Sequence, residues 1–542
     1  MTETYDAIII GGGSKGMVTA MYLAKYGGMK VAVFEKRHEL GGGWSGEEHS
    51  SPGFVDDSHA SNLGDFYVNT IARDFNFFDF GAKWLPYDVC GGAIYLQDEK
   101  CITVHGKYHD PNQEKTAKAI ARYSERDAET WLKWYKFYEE KVYPAFLKTH
   151  FNPPCPRSEK DPMEQLVADN PDMIDPSWAS KSPLEVLREQ YESDAVIAMF
   201  LRLVHAGNAT SPTTPGMGLQ YALAVPLRTH FGHSLGGTHT WAHAASRILF
   251  RLGVKTFTKR GVQKVVIENG RAVGVLTEAG ELVRATQLVV SGASPQTLVN
   301  KFIGREYFSG DILSKIDKLE MHRTCITWYH YALHELPNYS VSAMDPDVNR
   351  STGWLYLAEK GDPMALVREH DALERGEEPE ELNIIVWQLS QFDKTRAPDG
   401  KHLVASEQFV LPAFSRTDAE WAQWKTAQAK REIEWWQRFA PNMTWDNVIG
   451  YNPLTPRDTC HLDNLGPYGN WATIDHVPHQ LGRNRPIPEL SDYRTPVKGL
   501  YATGGGWHPG GAGWTANGYN TYKVIAEDYG LGKPWKDNGY PY

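Results

Sequence analysis

The feature that most constrains the fold is a run of glycines directly after an apolar segment near the N-terminus. Residues 5–10 are Tyr-Asp-Ala-Ile-Ile-Ile, which is typical of a buried central strand. They are followed by Gly11-Gly12-Gly13-Ser14-Lys15-Gly16, which fits the pattern G-x-G-x-x-G, and by a predicted helix over 17–26. A second apolar segment, 30–34, ends at Glu35. Strand, glycine turn, helix, strand and acid in this order predict a dinucleotide-binding βαβ unit.

Each part of this unit has a physical role. Gly11 permits the tight turn, Gly13 lets a pyrophosphate approach the backbone, and Gly16 allows close helix–strand packing. The helix N-terminus offers unpaired N–H groups and a partial positive charge to the phosphates. Glu35 can accept hydrogen bonds from the adenosine ribose, and its charge disfavours a 2′-phosphate. The predicted cofactor site also includes Ser14, Lys15 and Lys36.

The segment after Glu35 points to a family. A second glycine run, Gly41-Gly42-Gly43-Trp44, follows the ribose acid closely. The stretch 8–48 resembles the flavoprotein superfamily that contains phytoene desaturases, carotenoid isomerases and ketolases, and the flavin amine oxidases. In that family a second glycine pair lets the chain pass against the cofactor. The resemblance therefore implies FAD as the cofactor and adds Gly42, Gly43 and Trp44 to its site. The polar pair before Gly16 looks most like the phytoene-desaturase branch.

Two later segments resemble cofactor segments of the same family. Alternating apolar residues around an Asn-Gly turn predict a β-hairpin over 261–275. In the family, the backbone at the position of Val262 faces the adenine, and the next strand ends near the cofactor, here at Gly292. Residues 504–513, Gly-Gly-Gly-Trp-His-Pro-Gly-Gly-Ala-Gly, closely resemble the desaturase-type signature that brings glycine backbone to the ribityl chain and pyrophosphate. This resemblance adds Gly505 and Gly506, together with Trp514 and Thr515, at the start of a helix whose N-terminus would face the isoalloxazine.

These segments predict a flavin domain that is discontinuous in sequence. It comprises 1–75, 230–300 and 490–542, and a substrate-binding domain comprises 76–229 and 301–489. The predicted fold class is α/β with α+β character: an FAD-binding Rossmann-type domain joined to a discontinuous, mixed α/β substrate domain. A length of 542 residues agrees with two joined domains.

Two segments of the predicted substrate domain have distinct patterns. Residues 113–149 are strongly helical and carry an apolar stripe, which fits a core-facing helix and also fits the wall of a substrate tunnel. Residues 359–382 are highly charged and are predicted to be a solvated excursion. The stripe consists of Trp131, Trp134, Tyr135, Tyr138, Val142 and Phe146.

Composition and charge exclude several classes of partner. The net charge is −10 and there is no basic block, which argues against nucleic acid. No apolar run approaches the ~20 residues of a membrane span, and the N-terminus enters a strand at once, which argues against a signal peptide. The five cysteines are scattered. A cytoplasmic protein is expected, with peripheral membrane contact and homo- or hetero-oligomerisation left open. The aromatic content of 12% fits a packed core or a pocket for an apolar substrate.

Candidate catalytic residues come from the histidines. His508 lies in the C-terminal signature, where the family often has His, and either acts near the isoalloxazine or braces a tight loop. His59 falls where the family's chain passes the flavin. His239 and His243 have i, i+4 spacing but no third ligand in sequence, so no metal site is predicted. Trp507 and Trp514 flank the signature and would narrow the pocket beside the flavin.

The function implied by the resemblance is hydride removal from an apolar, isoprenoid-like small molecule by an FAD-dependent dehydrogenase or desaturase. The electron acceptor could be a quinone, oxygen or a partner protein. Three alternatives use the same fold: a flavin amine oxidase, a redox-neutral isomerase on reduced flavin, and a noncatalytic isoprenoid-binding subunit. An amine oxidase would need an aromatic cage and usually a Lys near the flavin.

Overall fold

The computed structural model describes residues 4–205, 210–463, 466, 468–511, 515–540 and 542. Its strands are β1 (Thr4–Ile10), β2 (Val31–Phe34), β3 (Gly46–Glu47), β4 (Asp56–Asp57), β5 (Asn62–Gly64), β6 (Trp84–Pro86), β7 (Val89–Tyr95), β8 (Lys100–His105), β9 (Phe231–Ser234), β10 (Lys255–Phe257), β11 (Val262–Glu268), β12 (Arg271–Thr277), β13 (Leu282–Ser291), β14 (Ile326–Leu333), β15 (Ser351–Ala358), β16 (Ile384–Trp387), β17 (His402–Phe409), β18 (Val448–Leu454) and β19 (Leu500–Ala502).

The α-helices of the described residues are α1 (Ser14–Lys25), α2 (Asp65–Tyr67), α3 (Glu114–Ile120), α4 (Glu125–Phe137), α5 (Tyr143–His150), α6 (Pro162–Asp169), α7 (Pro183–Gln190), α8 (Asp194–His205), α9 (Gly218–Ala224), α10 (His239–Arg251), α11 (Pro295–Thr297), α12 (Gly310–Asp317), α13 (Pro363–Glu374), α14 (Asp418–Gln437), α15 (Pro456–Asp463), α16 (Ala516–Tyr529) and α17 (Pro534–Asp537). They include seven, α3 to α9, that follow one another between β8 and β9.

The first sheet is Rossmann-like. Its order is β10-β2-β1-β13-β12-β11, with β19 added beside β13. Strands β10, β2, β1, β13 and β19 are parallel, so their carboxyl ends meet at one edge. The central strands are buried runs of β-branched and apolar residues, as parallel strands covered on both faces require. The predicted hairpin forms as β11 and β12, and its turn residues Asn269 and Gly270 have φ angles of 51° and 73°.

The second sheet is mixed and has the order β18-β14-β17-β16-β15-β7-β8. Strands β15 and β7 are parallel, whereas the other neighbours are antiparallel. One face packs against α14 through residues such as Tyr331, Val404 and Trp436. The opposite face carries three tryptophans, Trp328, Trp354 and Trp387. The predicted fold class, a Rossmann-type sheet joined to a mixed substrate sheet, is confirmed.

The two sheets draw their strands from different ranges of the chain. Every strand of the first sheet lies within 1–75, 230–300 or 490–542, and every strand of the second lies within 76–229 or 301–489. A small third sheet, β5-β9-β6, draws strands from both sets of ranges. The exact limits of the two domains therefore stay a prediction.

The prediction of a solvated excursion over 359–382 was wrong for its helical part. Residues 363–374 form α13, which packs against α8. Ala365, Leu366 and Ala372 are buried on one face of this helix, and so are Glu369 and His370. The densest charge lies at the end of this helix and just beyond it, at 374–378. The sequence of the whole segment therefore looks polar, although one face of the helix is buried.

The helical segment 113–149 forms α3, α4, a π-helical turn (Tyr138–Val142) and α5. One part of its apolar stripe faces the core, and the other part lines a cavity wall. Trp131, Trp134 and Tyr135 are buried in the core. Tyr138, Val142 and Phe146 line a large cavity described below.

Within the described residues, no helix is long and apolar enough to cross a membrane.

Candidate functional site

A cavity of about 460 Å³ opens where the parallel strands of the first sheet end. Ile10, Phe34 and Gly292 lie at or just beyond the ends of β1, β2 and β13, and Gly504 follows β19. This edge is where open α/β sheets bind their ligands. We call this space the cofactor cavity. Its walls include the predicted residues Gly11, Gly13, Ser14, Lys15, Gly16, Glu35, Lys36, Gly42, Gly43, Val262, Gly292 and Gly505.

The glycine turn of this cavity has the geometry that its sequence predicts. Gly11 has a φ of 94°, a left-handed conformation that favours glycine. A Cβ on Gly16 would lie 2.2 Å from the carbonyl oxygen of Gly11, so only glycine lets α1 pack this closely. The second glycine run packs on the first, since the Ser14 N–H donates to the Gly41 carbonyl at 3.1 Å. A Cβ on Gly13 would meet no atom nearer than 3.9 Å, which leaves room for a ligand group.

Glu35 is held in a fixed position at the end of β2. Its Oε2 accepts a hydrogen bond from the Gly12 N–H at 2.7 Å, and its Oε1 accepts one from the Arg37 N–H at 2.8 Å. The side chain is buried, yet it forms part of the cavity wall. Each carboxylate oxygen has a second lone pair, so the group can also accept hydrogen bonds from a ribose.

We expect Glu35→Ala to weaken FAD binding by about 1.5–3 kcal/mol, because charge-assisted hydrogen bonds are lost. The measurement is FAD affinity of apoprotein by fluorescence titration. Glu278→Ala is the matched control, since Glu278 lines the same cavity but its carboxylate faces the exposed Lys301 at 3.4 Å. If both variants bound FAD as tightly as the parent protein, the assignment of Glu35 to the ribose would be wrong.

Two buried cations lie near the N-terminus of α1, and they favour an anionic ligand. Gly13, at the N-cap of α1, provides no side-chain cap for the helix, so no polar side chain offsets the partial positive charge that this helix end offers to a phosphate. Lys15 is buried in the cavity wall. Burial lowers the pKa of its ammonium group to about 7, and the Arg485 guanidinium adds to this effect. A pyrophosphate would restore the charge of Lys15, so this donor set fits a dinucleotide such as FAD.

We expect FAD affinity to fall as the pH rises above 7. Below that pH, Lys15 is charged both before and after binding, so affinity is flat. Above that pH, Lys15 is neutral in the empty site, whereas a bound pyrophosphate would favour its charged form. Binding must then be accompanied by uptake of a proton by Lys15. The decline should approach ~10-fold per pH unit. FAD titrations between about pH 6 and about pH 9 would measure it. Lys15→Met should abolish the decline, whereas Lys36→Met, in the same wall, should retain it.

A second cavity, of about 660 Å³, adjoins the first and has a largely apolar wall. The second sheet contributes the indoles of Trp328, Trp354 and Trp387. Two chain segments separate this cavity from the cofactor cavity. In one segment Thr473 lines the cofactor cavity and Ala472 lines the second cavity; in the other, Gly505 lines the cofactor cavity and His508 lines the second cavity. We call this space the substrate cavity.

Both predicted catalytic histidines line the substrate cavity and not the cofactor cavity. His508 is buried, which lowers its pKa, and its Nε2 lies 2.9 Å from the Thr149 carbonyl oxygen. Because a carbonyl only accepts, Nε2 carries the proton and donates, so Nδ1 of the neutral ring is the acceptor. His59 lies beside the second glycine run, since the Ala60 N–H donates to the Gly43 carbonyl at 3.3 Å.

Several residues that the sequence analysis singled out line neither cavity. Trp44 packs edge-on against Trp241 of α10 and does not line the cofactor cavity. Trp507 is fully buried, with its indole N–H donating to the Leu490 carbonyl at 3.0 Å, so it does not narrow the pocket as predicted. Gly506 lies against Pro295, and Thr515 is buried at the N-cap of α16. Trp514 lies outside the described residues. His239 faces Glu39, with Nε2 and a carboxylate oxygen 2.9 Å apart.

Two residues that hold the glycine-rich loop were missed. Arg485 is fully buried and donates hydrogen bonds to the carbonyls of Asp475, Gln480, Ala472, Ile474 and Gly505. Asn517, in the first turn of α16, donates through Nδ2 to the carbonyls of Gly504, Trp507 and His508. Arg485 has no motif around it. Asn517 lies four residues after the end of the signature at Gly513, and this short spacing was a signal in the sequence.

Comparison with known proteins agrees with this architecture. A family model described as an NAD(P)-binding Rossmann-like domain matches residues 9–80. The chain is 28% identical to pyridine nucleotide-disulfide oxidoreductase domain-containing protein 2 of Mus musculus, over 97% of this chain and 94% of the mouse protein. It is 24% identical to a subunit of the limonene dehydrogenase of Castellaniella defragrans, over 98% and 96%. The structure of cyclohexylamine oxidase from Brevibacterium oxydans matches with a TM-score of 0.57 at 14% identity, over 97% and 99% of the two chains.

These findings and the geometry support a dinucleotide-binding oxidoreductase with the two-sheet fold seen in an amine oxidase. The cofactor cavity is consistent with FAD. The narrower resemblance to phytoene desaturases stays a prediction.

Proposed function

We propose that the chain is an FAD-dependent dehydrogenase of the desaturase type, which removes a hydride from an apolar, isoprenoid-like small molecule. The observation that carries this proposal is that the two cavities are neighbours: a predominantly apolar, indole-walled space adjoins a dinucleotide site across two chain segments, one of them the glycine-rich loop. Bound FAD would supply the hydride acceptor.

The residues that line the substrate cavity would position the substrate beside the flavin and exclude water from it. The three indoles and the cavity-facing part of the helical segment, Tyr138, Val142 and Phe146, hold a hydrocarbon chain by apolar contact. The neutral His508 offers Nδ1 as a proton acceptor next to this space. Removing a hydride leaves a cation-like centre that must lose a proton, and a neutral imidazole in the cavity wall is suited to take it.

The relatives support the same substrate class. The Castellaniella relative belongs to a limonene dehydrogenase, and limonene is a terpene. Because that relative is one subunit of its enzyme, it also supports the proposal that this chain works in an assembly with another protein. The proposal includes a separate electron acceptor that reoxidises the flavin, which is a quinone, oxygen or a partner protein.

An amine oxidase is the strongest competing function. The fold of cyclohexylamine oxidase and the indole wall favour it. Against it, none of the described residues that line the substrate cavity is a lysine. The described lysines that line the cofactor cavity belong to its predicted ADP end. Lys15 lies in the first turn of α1, Lys36 follows the ribose acid Glu35, and Lys301 faces Glu278.

The decisive experiment is an anaerobic titration of the FAD-loaded protein, followed by visible absorbance. Unsaturated isoprenoids of increasing length are compared with primary and secondary amines. Bleaching by an isoprenoid and not by an amine is the expected result. Bleaching by amines alone would replace the proposal with amine oxidation, and a protein that takes up no FAD would overturn it.

The role of His508 is tested separately. His508→Asn keeps a side-chain N–H near the Thr149 carbonyl but removes the imidazole base. We expect FAD affinity to stay within about threefold and flavin reduction to slow by about 100-fold, the lower end of the usual contribution of a general base. Equal reduction rates in the variant and the parent would limit His508 to bracing the loop.

A further inference from the structure

One wall of the substrate cavity is not apolar. Glu407 of β17 lies directly opposite Trp328 of β14 and shares its sheet face, because paired antiparallel residues point the same way. Both residues line the cavity, as do Trp354 and Trp387. Arg228 lines it too, with its guanidinium carbon 4.8 Å from the centre of the Trp354 ring. A buried acid and a buried cation thus interrupt an indole surface.

The polar atoms of this pair lack partners among the described residues. The Glu407 carboxylate accepts no hydrogen bond there: its Oε1 is buried 3.9 Å from Nη1 of Arg202, and its Oε2 is the oxygen left to face the cavity. The guanidinium of Arg228 makes one hydrogen bond, from Nη2 to the Val204 carbonyl at 3.2 Å, which leaves Nη1 as a donor toward the cavity. Polar groups in an apolar interior are nearly always hydrogen-bonded, so an acid and a guanidinium that each present an unpaired atom to one cavity indicate a polar group on its ligand.

We propose that Glu407 and Arg228 recognise a hydroxyl group on an otherwise apolar substrate, which makes the substrate an isoprenoid-like alcohol. This inference rests on the proposed function and refines its substrate class. The atoms that face the cavity are one acceptor, Oε2 of Glu407, and one donor, Nη1 of Arg228. A hydroxyl both donates and accepts hydrogen bonds, so it can pair with an acid and a guanidinium in the same wall.

The charges favour a hydroxyl over an anionic headgroup. Burial raises the pKa of Glu407 to about 7, while Arg202 and Arg228 lower it. A carboxylate ligand would face this acid and oppose its ionisation, whereas a hydroxyl pairs with either protonation state. Burial lowers the pKa of Arg228 only to about 10, so its guanidinium remains a charged donor at neutral pH.

The test compares geraniol with the hydrocarbon in which hydrogen replaces its hydroxyl group. Binding is followed by tryptophan fluorescence, because Trp328, Trp354 and Trp387 line the cavity. This readout needs no flavin chemistry. We expect the parent protein to bind geraniol at least about 10-fold more tightly than the hydrocarbon, as one charge-assisted hydrogen bond predicts. Equal affinities would overturn the proposal, since the polar atoms would then be satisfied by water.

The variants identify the recognising group. Glu407→Gln should reduce geraniol affinity about 10-fold and leave the affinity for the hydrocarbon within about twofold. Arg228→Lys, which removes the guanidinium donors and keeps the charge, should act in the same direction. Glu369→Gln is the matched control: Glu369 is a buried acid near Arg202 but does not line the cavity. Equal losses for both ligands in Glu407→Gln would show a structural role and overturn the proposal.

The two proposals fail in different experiments. Tight geraniol binding without flavin reduction by geraniol would leave the hydroxyl site standing and reject the dehydrogenase. Flavin reduction by hydrocarbons alone, with no preference for the alcohol in binding, would support the dehydrogenase and reject the hydroxyl site.

Discussion

Replacing Arg485 by leucine is expected to lower the free energy of unfolding by at least about 4 kcal/mol and to abolish FAD retention. The guanidinium is fully buried and makes six hydrogen bonds to five backbone carbonyls, two of them to Gly505. Leucine satisfies none of these carbonyls, and each unsatisfied buried group costs about 1–3 kcal/mol. The loop that lines the cofactor cavity at Gly505 would lose its support.

Chemical denaturation followed by fluorescence measures the stability, and gel filtration with absorbance measures the retained flavin. Arg483→Leu is the matched control two residues away. Arg483 contacts Asp161 and Glu164, with nitrogen–oxygen distances of 3.5 Å and 2.7 Å, near the surface. Because such pairs are screened by solvent, we expect a loss below about 1 kcal/mol there. Similar losses in the two variants would contradict the special role of Arg485.

Replacing Arg396 by leucine is expected to cost about 3–5 kcal/mol, because two buried carboxylates would lose their counter-ion. Its Nη1 lies 2.7 Å from a carboxylate oxygen of Asp57, and its Nε lies 3.1 Å from one of Asp393. All three side chains are at most 2% exposed. Asp57 follows the second glycine run, and its backbone carbonyl accepts the Trp328 indole N–H at 2.8 Å, so this ion cluster ties the cofactor segment to the second sheet.

Denaturant unfolding of single and double variants separates charge from packing. If uncompensated charge causes the loss, Arg396→Leu combined with Asp57→Asn should be more stable than Arg396→Leu alone. A double variant that is less stable by the sum of both single effects would show that packing dominates. A loss below about 1 kcal/mol in Arg396→Leu would contradict the expectation itself.

The parts of the site that the sequence predicted are those where backbone geometry dictates residue type. Gly11 needs a positive φ, and Gly16 has no space for a side chain, so glycine at both positions signals a turn against a helix. Glu35 follows a strand of apolar residues that can only be buried. Such local rules act over a few residues and can be recognised without a structure.

The residues that were missed act across long distances in the chain. Arg485 donates hydrogen bonds to carbonyls between residues 472 and 505. Glu407 and Arg228 line the same cavity only because a strand of the second sheet lies near the start of β9. Helix α13 was misjudged for a related reason, since its buried Glu369 and His370 look like surface residues in sequence. Tertiary packing decides these positions, and local composition is a poor guide to it.

The glycine-rich loop has a further consequence, because Gly504 and Gly505 line one cavity and His508, Pro509 and Gly511 line the other. A ligand that contacts this short segment on one side also fixes the wall that a ligand on the other side contacts. The two binding equilibria should therefore show positive cooperativity, equal in size in both directions by linkage. Cofactor-loaded protein would then capture substrate preferentially, and bound substrate would slow the escape of the cofactor.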